Sequence, residues 1–240
     1  MASKTRLYVD HPLGPAQTVP LTAAQAHYLF GVMRLGPGAV LSLFNGRDGE
    51  WDGVVAQAGK RGGLLAVTAQ TAPLHLPPDL WLCCAPLKKA RMDYVVEKAV
   101  ELGVARIVPV LTDFTQGDRL RGDKLLAHVI EAAEQCGIAY VPAVAAPVRL
   151  AGLLDLWPAG RQIMFCDEAL RGQGPTRISG TAGPWAVLIG PEGGFSGPER
   201  QRLRDLPFAH PVALGPRILR ADTAAVAALT LWQTTFGDWR

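Results

Sequence analysis

Cysteine is sparse and badly spaced for a structural role. Cys83, Cys84, Cys136 and Cys166 are the four in 240 residues, and no two frame a C-x-x-C pair. No spacing suggests a disulfide framework, and reduced thiols are expected. The five histidines, His11, His27, His75, His128 and His210, never fall three to five residues apart. That removes a helical zinc pair, and no metal site is expected. Long apolar runs are missing too: the longest weakly charged stretch, residues 224–232, is far short of the ~18 residues of a membrane span. The opening MASKTRLYVD has some positive charge but no apolar block behind it, which argues against a secretory signal and for a cytoplasmic chain. Charge of one sign is scarce: 24 Lys and Arg against 21 Asp and Glu leave +3. So small an excess does not mark nucleic-acid binding by itself, although it allows a local basic face. The phosphate loops G-x-x-x-x-G-K-[ST] and G-x-G-x-x-G and the nucleophile elbow G-x-S-x-G do not occur, which weakens kinase, common dehydrogenase and hydrolase readings.

What is present is ample apolar material, 49% hydrophobic against 19% charged, enough to offset the entropy of ordering a chain of this length. Residues 1–73 read as a β-rich unit. AVLSLF (39–44) and EWDGVVAQ (50–57) flank an Asn-Gly turn that favours a hairpin, LLAVTAQ (64–70) adds a strand, and TAAQAHYLFGVM (22–33) is a helix opened by Thr22. A small barrel is expected. PLHLPP (73–78) then places three prolines in six residues, which breaks any helix or central strand and sets a boundary between domains 1–73 and 74–240.

Beyond the prolines strands alternate with helices. LWLCCA (80–85), ARIVPVL (105–111), QIMFCD (162–167), WAVLIG (185–190) and HPVALG (210–215) are apolar runs of strand length. Met92, Val95, Val96, Ala99 and Val100 make one helical stripe closed by Gly103, and residues 123–137 repeat the design. This pattern predicts an α/β domain on a parallel sheet. The last helix, 222–237, is capped by Asp222 and apolar nearly all round through Trp232, so it needs burial on more than one side and suggests a homodimer.

Two segments follow predicted strands and carry unusual glycine and proline content: IGPEGGFSGPER (189–200) and LGPRILRADT (214–223). A Gly-Pro cluster alone can be a plain strand-to-helix connection. In an open parallel sheet, however, loops past the carboxyl ends of strands form the ligand crevice, so two such loops are expected to share one edge and one pocket. Backbone there can approach a ligand closely. Arg220 sits within the second loop rather than on a helix face, Arg217 precedes it, and Cys166, Asp167 and Glu168 end another strand at what is expected to be the same edge. Further basic residues fall at junctions: Arg34 in MRLGPG, and Lys88, Lys89 and Arg91 ahead of a long helix.

GPEGGFSGPE, followed some twenty residues on by LGPRILRADTA, resembles the C-terminal signature of the ribosomal RNA small subunit methyltransferase E family, 16S rRNA N3-uridine methyltransferases of the SPOUT superfamily. EKAVELGVARIVPVLTDFT (97–115) and EAAEQCGIAYVP (131–142) resemble that family's central segments, and HYLFGVMRLGPGAVLSLFNG (27–46) its N-terminal RNA-binding domain. The resemblance spans nearly the whole chain. It implies a PUA-like β-barrel, an α/β domain with a deep trefoil knot, a homodimer, and S-adenosylmethionine as cofactor. The contacts it implies for that cofactor are Ile189, Gly190, Pro191, Glu192, Gly193 and Gly194, then Leu214, Gly215, Ile218 and Leu219, with the strand end Cys166, Asp167 and Glu168. The sequence departs from the family where Cys136 follows the Glu134-Gln135 pair in place of arginine, and where Asp222 replaces a frequent glutamate.

On that reading Arg220, or Arg217 beside it, would hold the anion that develops on O2 or O4 as uridine N3 gives up its proton. Glu192 and Asp222 are the candidate bases, although a purely structural use of each, as a cap or an arginine partner, is the more ordinary reading. Arg34, Lys88, Arg91 and Arg217 are candidate contacts to the 16S rRNA of the small subunit. Two other readings stay open from sequence: a non-catalytic dimeric RNA-binding protein, and an enzyme acting on a small nucleotide.

Overall fold

The protein is described from a computed structural model over residues 5–116, 120–172 and 178–240, so residues 1–4 of the opening segment lie outside the described part. It divides into two compact units, one running through Leu76 and including Ala133–Val141, the other made of Pro77–Ala132 and Pro142–Arg240.

The first unit is a five-stranded sheet of order β1-β3-β4-β5-β2, from β1 (Arg6–Tyr8), β2 (Thr18–Pro20), β3 (Val40–Phe44), β4 (Glu50–Gly59) and β5 (Gly62–Ala72). The β3–β4 hairpin forms as expected, Phe44 facing Glu50. Its turn closes on Asn45, whose Oδ1 accepts the N–H groups of Arg47 and Asp48 at 3.0 and 2.9 Å. Leu7, Val19, Leu29, Leu41, Leu43, Val55 and Leu65 form the core. Residues 133–141 join through Arg6, whose Nη2 donates to the Ile138 carbonyl at 2.7 Å, and Tyr8, whose N–H donates to Glu134 Oε1 at 2.8 Å.

The helix opened by Thr22 departs from expectation. Thr22 and Gln25 form a reciprocal capping box over α1 (Ala23–Ala26), but the chain then widens into a π-helical segment, His27–Val32. There Met33 N–H bonds to the Tyr28 carbonyl, five residues back, in place of the α partner four back.

The second unit contains β6 (Leu80–Cys84), α2 (Lys89–Glu101), β7 (Arg106–Leu111), α3 (Gly122–Cys136) up to Ala132, β8 (Ala143–Val144), β9 (Val148–Arg149), α4 (Leu150–Asp155), β10 (Gln162–Cys166), β11 (Trp185–Ile189), α5 (Gly197–Asp205), β12 (Ala209–Val212) and α6 (Ala221–Thr235). The sheet runs β12-β10-β11-β6-β7-β8, with β9 also on β7, and the strand pairs are parallel. β11 comes late in the chain yet lies between β10 and β6, and all five of its residues are buried. The α2 stripe read from periodicity is the buried face: Met92, Val95, Val96, Ala99 and Val100. α6 buries Ala221, Ala225, Ala228, Leu229 and Trp232, and Gln233 donates to the Leu102 carbonyl at 2.7 Å.

One expectation is corrected. The N-cap of α6 is Arg220, without a side-chain capping bond, and Asp222 lies inside the first turn, its Oδ1 accepting the Thr223 N–H at 2.9 Å. A carboxylate there still favours the positive end of the helix. Among the described residues no helix is long and apolar enough to cross a membrane.

Candidate active site

Because β12, β10 and β11 are parallel neighbours, the loops leaving their carboxyl ends emerge at one edge. They enclose a cleft of about 210 Å³. Its lining comprises Cys166, Asp167, Glu168 and Arg171 after β10; Ile189, Gly190, Pro191, Glu192 and Gly194 after β11; and Val212, Leu214, Gly215, Arg217, Ile218, Leu219 and Arg220 after β12, with Ala221 and Ala224 of α6. The two glycine-proline loops are thus brought together. Of the residues expected at the cofactor, Gly193 alone is not in the lining: a Cβ there would lie 3.2 Å from Phe114 Cβ. Arg171, Val212, Ala221 and Ala224 were not singled out from sequence. Val212 could have been read as the strand end, and the alanines as small residues in the first turn beside the second loop.

The glycine loop has its shape for local reasons. Pro191 starts a turn closed by Gly194 N–H to the Pro191 carbonyl at 2.9 Å. Gly194 has φ +71°, and a Cβ there would overlap Glu168 Oε1. Beyond it, Ser196 caps α5: Ser196 N–H donates to Glu199 Oε2 at 3.0 Å, and the Ser196 hydroxyl donates to Asp113 Oδ2 at 2.6 Å. Asp113 N–H donates to Glu199 Oε1 at 2.9 Å, so the loop after β7 locks the exit of the glycine loop.

Asp167 holds the other side. Its side chain is fully enclosed; Oδ1 accepts from Ala169 N–H at 3.0 Å and Arg200 Nε at 3.1 Å, and Oδ2 from Arg204 Nε at 3.0 Å. Arg204 Nη2 also pairs with Asp167, and Arg200 Nη2 with Glu168. With its oxygens engaged, Asp167 orients the first turn after β10 against α5. Cys166 is also buried, which pushes its thiol well above the ordinary range, so it lines the cleft as a neutral, apolar group.

The basic residues fall into different settings. Arg91, expected as a phosphate contact, donates from Nη1 to Glu192 Oε1 at 3.0 Å, with its Nε 3.9 Å from Asp222 Oδ2. The two candidate bases therefore share one guanidinium. Arg217 and Arg220 line the cleft, are exposed, and make no ion pair among the described residues. Lys88 is the N-cap of α2. Arg34 lies in the first unit, exposed, at φ +55°.

Comparison with known proteins gives this cleft its setting. A family model described as an RNA methyltransferase domain matches residues 75–233, and one described as an RNA methyltransferase PUA domain matches residues 21–67. Ribosomal RNA small subunit methyltransferase E of Rickettsia conorii is 27% identical, covering 93% of each chain. The protein of the same name from Mycobacterium bovis is 31% identical over 92% of this chain and 88% of its own. The crystal structure of ribosomal RNA small subunit methyltransferase E from Neisseria gonorrhoeae, bound to S-adenosyl methionine, aligns with a TM-score of 0.84 at 28% identity, covering 99% of this chain and 100% of that one. The chain belongs to the ribosomal RNA small subunit methyltransferase E family.

Proposed function

We propose that the protein methylates N3 of a specific uridine in 16S rRNA of the small ribosomal subunit, using S-adenosylmethionine held in the cleft between the two glycine-proline loops. The observation that carries this reading is the convergence of those loops and the Cys166–Glu168 strand end around one cleft, with the guanidinium of Arg220, unpaired among the described residues, on its wall. The residues fit such a cofactor: Ile189, Val212, Leu214 and Leu219 offer apolar surface, and Gly215, with nothing within 4 Å of where a Cβ would be, leaves backbone open to close approach. When bound, S-adenosylmethionine supplies a methyl group already activated on a sulfonium.

The chain's own task is to place the base and handle its proton. Uridine N3 is protonated at neutral pH and lies on the Watson-Crick edge, so the target base has to be unpaired. Arg220 stabilises the charge that gathers on O2 or O4 as the N3 proton departs. Glu192 is the carboxylate that takes the proton. Arg91 occupies its Oε1, and Oε2 has no partner among the described residues. Arg217, Lys88 and Arg34 serve as phosphate contacts.

The same reading assigns residues 1–73 to RNA binding as a PUA-like barrel and 74–240 to a SPOUT methyltransferase domain. The trefoil knot of that domain rests on the family resemblance. It further takes the chain to be a cytoplasmic homodimer. A purely RNA-binding protein would have no use for the cleft.

The test is incubation with labelled S-adenosylmethionine and small subunits lacking the modification, with the methyl group mapped by mass spectrometry. Arg220→Ala should abolish transfer while cofactor affinity, read by calorimetry, changes little. Near-normal turnover in that variant removes Arg220 from the chemistry.

A further inference from the structure

A second concavity lies in the first unit, between the π-helical segment and the end of β4. His27, Phe30 and Gly31 form one wall and Ala58, Gly59 and Lys60 the other, around about 540 Å³. Its shape follows from the wide helical turn and from two glycines. Residues four apart come nearly into line on a π turn, and a Cβ on Gly31 would sit 3.1 Å from His27 Nδ1, so the bare glycine makes room for the imidazole. Phe30 is backed by β5, where a Cβ on Gly63 would sit 2.8 Å from its Cε2. The phenyl ring is packed against the core on one side and lines the concavity on the other. Such single π turns recur at functional sites.

The charge around it is of one sign. The acids on and beside this unit's strands are already engaged: Asp10 with Arg47, Glu50 with Arg6 and Ser42, and Asp48 with the Leu13 N–H and Asn45, while Asp52 within β4 is not free either. No acidic side chain lines the concavity, whereas Lys60 does, and Arg61 follows it in the tight turn between Gly59 and Gly62. Neither cation has an ion pair among the described residues.

We infer that this concavity receives one unstacked nucleotide of single-stranded RNA, its base against Phe30 and His27 and its phosphate at Lys60. A flat apolar face with an aromatic ring suits any base, and a single ammonium at the rim suits a backbone phosphate. The inference rests on the reading of the protein as acting on RNA, and it adds a contact remote in sequence from the loops of the cleft.

The test uses the full chain and a fluorescently labelled single-stranded RNA of about 12 nucleotides, a length within the usual span of such sites. Lys60→Glu and His27→Ala alter exposed side chains, and Phe30→Leu removes the ring while keeping apolar bulk against Gly63. Thermal melts check that each variant folds. Each folded variant should bind the RNA roughly tenfold more weakly, the scale of one lost stacking or phosphate contact. Cofactor affinity should not change, and Lys60→Glu should flatten the salt dependence. Unchanged RNA affinity in Lys60→Glu and His27→Ala overturns the inference, as does an equal loss on duplex RNA. If the wild type methylates small subunits while these variants bind and react normally, this inference fails and the methyltransferase reading stands. If the variants lose RNA affinity but the wild type transfers no methyl group, the reverse holds.

Discussion

Arg91 Nη1 lies 3.0 Å from Glu192 Oε1, tying the start of α2 to the glycine loop across 101 residues of sequence. The same guanidinium stands 3.9 Å from Asp222 on the first turn of α6. A residue that reads in sequence as one more surface cation is thus the point where α2, the glycine loop and the first turn of α6 meet.

Arg91→Ala should therefore loosen the cofactor loop rather than abolish RNA binding. An ion pair this exposed is worth at most ~1 kcal/mol, so cofactor affinity should fall by no more than about fivefold, read by calorimetry. If RNA affinity falls instead and cofactor affinity holds, Arg91 is a phosphate contact after all.

Glycine substitutions should rank by geometry. Gly194→Ala places a Cβ at φ +71° and against the Glu168 carboxylate, which Arg200 holds in place; left-handed backbone alone costs ~1–2 kcal/mol. Gly193→Ala has Phe114 as its nearest neighbour, with Cβ 3.2 Å away, a contact relieved by a shift of a few tenths of an ångström. Cofactor binding should suffer severely in the first variant and slightly in the second; a reversed order would place the ligand on the Gly193 side.

Asp167→Asn leaves two guanidiniums facing a neutral amide. Breaking a fully buried ion pair typically costs ~3–5 kcal/mol, and because Arg200 and Arg204 remain partly solvated the loss here should be nearer ~2 kcal/mol. Urea unfolding reads the change directly, and a midpoint equal to wild type would show that Asp167 adds nothing to stability.

Acid should weaken the first unit through Asp48. The Leu13 N–H and the Asn45 amide hold its carboxyl below the ordinary value. The folded form therefore binds its proton less readily than the unfolded chain, and the stability it adds at neutral pH is lost as pH drops below about 4. Urea midpoints should fall between about pH 6 and about pH 3, and fall less in Asp48→Asn. Identical falls in both proteins would exclude Asp48 as a source.

Much of this arrangement is legible in the sequence because it depends on short-range pattern. The α2 stripe, the Asn45–Gly46 turn and the apolar runs of β10 and β11 are fixed by periods of 3.6 or by burial on both sides. The convergence of the two glycine loops follows from parallel strands ending at one edge. What escaped depends on distant partners. Nothing around Arg91 announces Glu192, and Asp167 reads as a turn acid until Arg200 and Arg204 come round to it. The π turn at His27–Val32 is hidden because its residues suit an α-helix equally well. Asp222 looks like a cap only because the true cap, Arg220, uses no side-chain bond. β8 and β9, two residues each, are too short to carry any period.

The late arrival of β11 has a consequence during synthesis. β6 is made first, and its edge stays open from the emergence of Cys84, joined late by the facing edge of β10, until Trp185–Ile189 slots between them. At roughly 5–20 residues per second that interval lasts on the order of ten seconds. Throughout it the ribosome-borne chain carries a raw, apolar seam of unpaired strand edge, the feature that most invites association with other nascent chains.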